Sequence, residues 1–158
     1  MLKDILRMDN VRIIHRNFAG RRSQYNREGD RNFSVVIEDS RVAQQLAEVG
    51  WNIKIKPPRE DGDSPLRYLP VKIKYNQDYP RSNPVVYLRS GKNMRKLDED
   101  SLDVLDTVDI INVDLDIRPY NYNVQGKTGV TAYLTSMCIT QNVDRFMQKY
   151  AEEEYPSE

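Results

Sequence analysis

The sequence predicts a mainly β fold in a single domain. Apolar residues recur at every second position through most of the chain, as in strands with one buried face. Gly and Pro gather between those segments, and only two stretches change to helical spacing. With 158 residues, 39% of them hydrophobic, the chain can bury one core without disulfides or a metal. We divide it into one domain over residues 1–150 and a short acidic tail over 151–158.

Val11, Ile13 and His15 alternate with Arg12, Ile14 and Arg16, and Phe33, Val35 and Ile37 resume the rhythm beyond a basic loop. These are two strands. Over residues 39–50 the spacing of Val42, Leu46 and Val49 is helical, with Asp39 or Ser40 as N-cap and Gly50 as the stop. Strands follow at 51–56, 69–75 and 85–89, separated by Pro57, Pro58, Gly62 and Pro65, then by Pro80 and Pro84. In the first of these, Trp51, Ile53 and Ile55 take the core side, and neighbouring strands are expected to pair. After a helical turn near Leu102 and Leu105, residues 108–117 and 130–139 form a hairpin with Gly126 and Gly129 in the connection. A last helix places Val143, Phe146 and Tyr150 on one face, with Asn142 as cap, Asp144 near its positive end and Lys149 near its negative end. Six or seven strands with few helices fit an OB-like antiparallel β-barrel, with one helix after the second strand and one at the C-terminus. The alternative is an open antiparallel sheet covered by the two helices.

Several function classes drop out. The longest apolar run, from Val85 to Leu88, is far below the roughly 20 residues of a membrane span. Lys3, Asp4 and Arg7 stand where a signal peptide would be apolar, so a cytoplasmic protein without a membrane partner is expected. Cys138 is the one cysteine, which excludes an internal disulfide and suits a reducing compartment. His15 is the one histidine, so a zinc pair is excluded, and its place beside Val11 and Ile13 makes it a strand residue rather than a catalyst. Gly126, Lys127 and Thr128 end like a P-loop, but Asn121 stands where its first glycine belongs, and a hairpin tip is the better reading. Asp109, Asp114 and Asp116 are the sharpest enzymatic feature, since alternating carboxylates at a strand end can hold magnesium in a nuclease; Asp114 and Asp116 share one strand face and Asp109 takes the other.

Charge is balanced overall, with net charge zero, but unevenly placed. Residues 1–34 carry eight basic residues against four acidic ones, and residues 97–116 carry eight acidic residues and no Lys or Arg. The loop from Arg16 to Phe33 sets Arg16, Arg21, Arg22, Arg27 and Arg31 among Phe18, Tyr25 and Phe33. Guanidinium groups suit phosphates and aromatic rings suit unpaired base faces, so this loop is suited to single-stranded nucleic acid, with Tyr25 and Phe18 as its stacking candidates. The tripeptide Lys-Ile-Lys occurs twice, and if its strands pair, Lys54, Lys56, Lys72 and Lys74 lie on one face, where a phosphate backbone would offset their repulsion. Tyrosine supplies ten of the fourteen aromatic residues; Tyr120 and Tyr122 are candidates for a stacking platform, with Lys127 at the hairpin tip beside them. Tyr75, in step with Val71 and Ile73, is expected in the core.

Four segments together resemble the phage-type single-stranded-DNA-binding proteins with an OB-like fold. They are YNREGDRNF from Tyr25 to Phe33, GWNIKI from Gly50 to Ile55, IRPYNYNVQGKTGV from Ile117 to Val130, and AYL from Ala132 to Leu134. The resemblance implies a replication or recombination accessory that coats single-stranded DNA in the bacterial host cell, with no cofactor and no turnover. One departure concerns topology: the usual single helix of that fold follows the third strand, whereas here it follows the second. The other expectations are a magnesium nuclease and a protein-interaction module. The acidic tail is expected to stay mobile and to meet replication or recombination proteins, and a homo-oligomer is open.

Overall fold

In the computed structural model, which describes residues 2–143, the alternating segments become strands joined in one mixed sheet. In chain order they are β1 (Leu6–Met8), β2 (Arg12–Asn17), β3 (Arg31–Val36), β4 (Lys54–Lys56), β5 (Leu66–Ile73), β6 (Val85–Ser90), β7 (Asn93–Leu97), β8 (Ile110–Val124) and β9 (Lys127–Gln141). One α-helix, α1 (Ser40–Glu48), lies between β3 and β4, and 3-10 turns occupy Pro80–Ser82 and Leu102–Asp106. The expected C-terminal helix, with Phe146 and Tyr150, and the acidic tail lie outside the described residues.

Both ends of α1 follow from side-chain chemistry. The Asp39 carboxylate accepts the Arg41 N–H at 2.8 Å, satisfying a free donor of the first turn. Gly50, at φ +118°, turns the chain out, and the Gly50 and Trp51 N–H groups donate to the Ala47 and Leu46 carbonyls at 3.1 and 3.0 Å. This stop drops Trp51 into the core, where it is buried. The helix buries Ala43 and packs Leu46 against the core, while Val42 and Val49 remain exposed. The expected apolar face was thus rotated: small Ala43 lets the helix backbone settle on the sheet where bulkier Val42 would hold it away.

The long hairpin is the trunk of the sheet. Gln125 and Gly126, both at positive φ, make its two-residue turn, and β8 pairs β9 from Val124 and Lys127 to Ile110 and Gln141. The second edge of β9 runs parallel to β6 along Ser136 to Gln141 and parallel to β5 at Ala132 and Tyr133. β5 is antiparallel to β3 on one edge, and its other edge is divided between β4, at residues 66–68, and β9, at residues 71–72. Pro70 stands in that interval. Because the Arg67 carbonyl accepts the Ile37 N–H on the β3 side, alternation turns the Pro70 nitrogen to the opposite edge, where no ladder donor is needed.

The sheet curls until the Val11 N–H reaches the Val113 carbonyl at 3.0 Å, but β2 and β8 form no ladder. The expected closed antiparallel barrel is corrected to an open mixed sheet with two parallel pairings. Other boundaries also shift. The strand expected at 51–56 shrinks to β4, and Ile55 is 64% exposed rather than in the core, because this three-residue strand pairs only with the end of β5 and leaves Ile55 on an open cavity beside α1. Tyr75 lies beyond β5 and is half-buried against the core. The polar strand β7 escaped notice because Asn93, Met94, Arg95 and Lys96 are all exposed and show no alternation. The helix follows the third strand once β1 is counted. Phe33, Val35, Leu69, Val71, Val113 and Ile139 form the centre of the core, each at most 1% exposed.

Candidate nucleic-acid interface

One face of the sheet closes the core, and the other gathers rings and cations. Pro119, Ala132, Val71 and Phe33 are successive cross-strand partners over β8, β9, β5 and β3, and the last three are buried. Their neighbours Arg118, Tyr133, Lys72 and Asn32 are likewise partners across the same four strands, so they stand together on the opposite face. The Arg118 guanidinium lies 4.9 Å from the Tyr133 ring centroid, and the Tyr120 ring meets Tyr133 edge-on at 6.0 Å. One step nearer the turn, Tyr122 pairs with Gly129. A Cβ at Gly129 would come within 2.9 Å of Tyr122 Cε1, so the glycine provides the bed on which that ring lies. Tyr120 is 54% exposed and Tyr122 39%.

The same face continues over β5 and β3. Tyr68 is partnered by Lys54, and its ring meets His15 edge-on at 5.1 Å. His15 reaches Ser34 Oγ at 3.3 Å from a left-handed backbone, φ +55°, at the irregularity that interrupts the β2–β3 register. That irregularity removes His15 from the simple alternation with Ile13. Toward the far end of β8 and β9 the face turns acidic: Asp116 accepts from Ser136 Oγ at 3.1 Å, and Asp114 accepts from the Asn10 N–H at 2.9 Å. Basic and aromatic groups therefore occupy the hairpin half of the face.

Residues 17–31 form a folded arm beside this face. Gly29 N–H donates to the Gly20 carbonyl at 2.7 Å across its neck, and Asn32 Nδ2 donates to Asn26 Oδ1 at 2.9 Å, joining arm to face. Arg21, Arg22, Tyr25 and Arg27 are exposed, Tyr25 at 91%.

Three of the expected contact residues have other work. Phe18 is wholly buried and stacks on Phe33 at 5.3 Å, so it belongs to the core and not to a stacking surface. Arg16 donates to the Leu105 and Val108 carbonyls at 3.0 and 2.8 Å. Arg31 pairs with Glu99 at 3.1 Å and lies 5.9 Å from the Tyr75 ring, on the core side of β3. Burial raises the Tyr75 hydroxyl pKa above its ordinary value, and the Arg31 charge opposes the shift. The two Lys-Ile-Lys segments lie on paired strands, but Lys54 and Lys56 face Tyr68 and Leu66, four or more residues from Lys72, and Lys74 lies just past β5. The expected block of four ammonium groups is thus spread out, roughly 13 Å separating the level of Lys54 from that of Lys72. Lys127 is at the hairpin tip as expected. Arg118 and Tyr133 were missed; counting alternate residues back from Tyr120 would have found the first, but the second is marked as surface only by its partners on β8 and β5.

Asp109, Asp114 and Asp116 do not converge: Asp109 accepts from Asn142 Nδ2 at 3.2 Å, and among the described residues no group of three or more His, Cys, Asp or Glu is placed to hold a metal. Cys138 is a free, half-buried thiol. No helix among the described residues is long and apolar enough to cross a membrane.

Comparison with known proteins adds a family. The profile of the family described as "Putative phage ssDNA-binding domain" matches residues 2–157. No curated protein matches the sequence. Among solved structures, the single-stranded DNA-binding protein from bacteriophage Enc34 aligns with a TM-score of 0.55 at 11% identity, covering 90% of this chain and 83% of that one. The same protein in complex with ssDNA aligns with a TM-score of 0.56 at 12% identity, covering 90% and 89%. At such identity the likeness is one of fold.

Proposed function

The chain belongs to the phage ssDNA-binding domain family, and from that premise we propose that it binds single-stranded DNA along the hairpin half of its open sheet face. The observation that carries the reading is the row Arg118, Tyr133, Lys72 and Asn32, flanked by Tyr120 and Tyr122. Rings at that spacing stack bases, and Arg118 and Lys72 on either side of Tyr133 neutralise the phosphates between them. The exposed arm, with Arg21, Arg22, Tyr25 and Arg27, lengthens the track, and Lys54, Lys56 and Lys127 lie at its margins. Stacking and phosphate contacts carry little base information, so binding is indifferent to sequence.

We read the curled sheet as an OB-like barrel left open between β2 and β8, and the chain as one domain over residues 1–150. In this reading the protein acts without turnover as an accessory of phage DNA replication or recombination in the host cytoplasm, and residues 151–158 meet its protein partners. Arg16, Phe18 and Arg31 hold the fold rather than the strand.

The test is fluorescence anisotropy of labelled oligo-dT, with duplex DNA as competitor and a parallel incubation in magnesium. Tight binding of the oligomer, little competition by duplex and intact oligomer after incubation are expected. Binding to duplex alone, or cleavage, would defeat the proposal.

A further inference from the structure

The arm over residues 17–31 stays folded although it has almost no core of its own. Arg21, Arg22 and Arg27 repel one another and favour an open loop. Hydrogen bonds oppose them. At the root, the Asp106 carboxylate accepts the Phe18 and Ala19 N–H groups at 2.7 and 3.0 Å, and Arg16 returns two bonds to the chain around Asp106. At the neck, Gly20 has φ +69°, and a Cβ there would meet the Gly29 backbone at 3.0–3.2 Å.

Inside, Asn26 does most of the tying. Its Nδ2 lies 2.8, 3.0 and 3.0 Å from the carbonyls of Arg21, Arg27 and Asp30, which share its two hydrogens, while its Oδ1 accepts from Asn32 on the sheet. It is also the single residue of 21–30 that is not exposed. One amide thus joins both limbs of the arm to each other and to the DNA-facing side of β3. Such bonding has a functional consequence, because a contact loop that is ordered before binding loses less conformational freedom on binding.

We infer that Asn26 is a positioning residue: it presets the arm so that Tyr25, Arg21, Arg22 and Arg27 meet single-stranded DNA as one rigid unit. This rests on the proposed function. Asn26 itself touches no nucleotide, and its effect passes entirely through the arm.

A double-mutant cycle tests this by oligo-dT anisotropy, with thermal unfolding of every variant. The variants are Asn26→Ala, an arm-stripped form (Tyr25→Ala with Arg21, Arg22 and Arg27→Ser), and their combination. Asn26→Ala should weaken binding by about fivefold or more, the lower end of what one stacked base contributes. In the arm-stripped background the same substitution should change affinity by less than about twofold. Full affinity of Asn26→Ala beside a weakened arm-stripped form would overturn the inference and leave the arm's contact role standing. A penalty that persists undiminished in the arm-stripped form would overturn it too, since Asn26 would then act elsewhere. Native affinity of the arm-stripped form would sink the arm's role itself, and failure of the native protein to bind oligo-dT would sink the proposed function. Should Asn26→Ala not fold, Asn26→Asp, which keeps the acceptor for Asn32 but loses the donors to the Arg21, Arg27 and Asp30 carbonyls, takes its place in the cycle with the same expected outcomes.

Discussion

Replacing Tyr133 by Leu keeps a strand-compatible apolar side chain on β9 but removes the ring that Arg118 and Tyr120 flank. Its neighbours across the sheet are Arg118 and Lys72, both on the surface, so the substitution opens no cavity in the core. If a base stacks on this ring, the loss is about 1 to 3 kcal/mol, or roughly 5- to 150-fold in affinity. The ring carries no charge, so the dependence of log affinity on log salt should keep its slope. Removing Arg118 and Lys72 together should instead flatten the slope by about 1.4, from roughly 0.7 for each phosphate neutralised on a single strand. Anisotropy titrations of oligo-dT over a range of sodium chloride measure both. Unchanged affinity in Tyr133→Leu would refute the stacking argument. A changed slope in Tyr133→Leu with an unchanged slope in the charge variant would refute the division of labour within the row.

Phe18→Ala, which empties a wholly buried site against Phe33, should destabilise the fold by about 3 to 5 kcal/mol in urea unfolding, whereas Tyr25→Ala should change stability by less than about 0.5 kcal/mol and lower affinity instead. Gly129→Ala should displace the Tyr122 ring, seen as changed ring-proton shifts, and weaken binding without losing the hairpin. The Asp98 carboxyl is held below its usual pKa, chiefly by the Ser101 hydroxyl and then by the Ser101 N–H. A depressed carboxylate favours the fold above its unfolded pKa and ceases to do so as pH falls through its folded pKa, so Ser101→Ala, which keeps the residue 101 N–H but loses the hydroxyl, should move the Asp98 midpoint upward in an NMR titration and reduce that acid-side dependence.

Much was legible along the chain because it is local. Alternation marked β2, β3, β5, β6 and the hairpin, since each buries one face of a strand, and the Asp39 and Gly50 signals bounded α1 because capping involves only near neighbours. The exposed basic and aromatic character of Arg21, Arg22, Tyr25 and Arg27 was likewise readable from composition. What could not be read was every choice made between distant segments. Phe18 and Tyr25 look alike in a basic loop, but only packing against Phe33 sends one inward. Arg16 and Arg31 look like phosphate ligands until Leu105, Val108 and Glu99, far away in sequence, take them up. The interface row itself joins four strands through a parallel pairing of β5 with β9 that brings Lys72 beside Tyr133. Residue chemistry thus determined which groups were available for single-stranded DNA, while strand register, which depends on the fit of whole faces to a common core, decided which of them stand together.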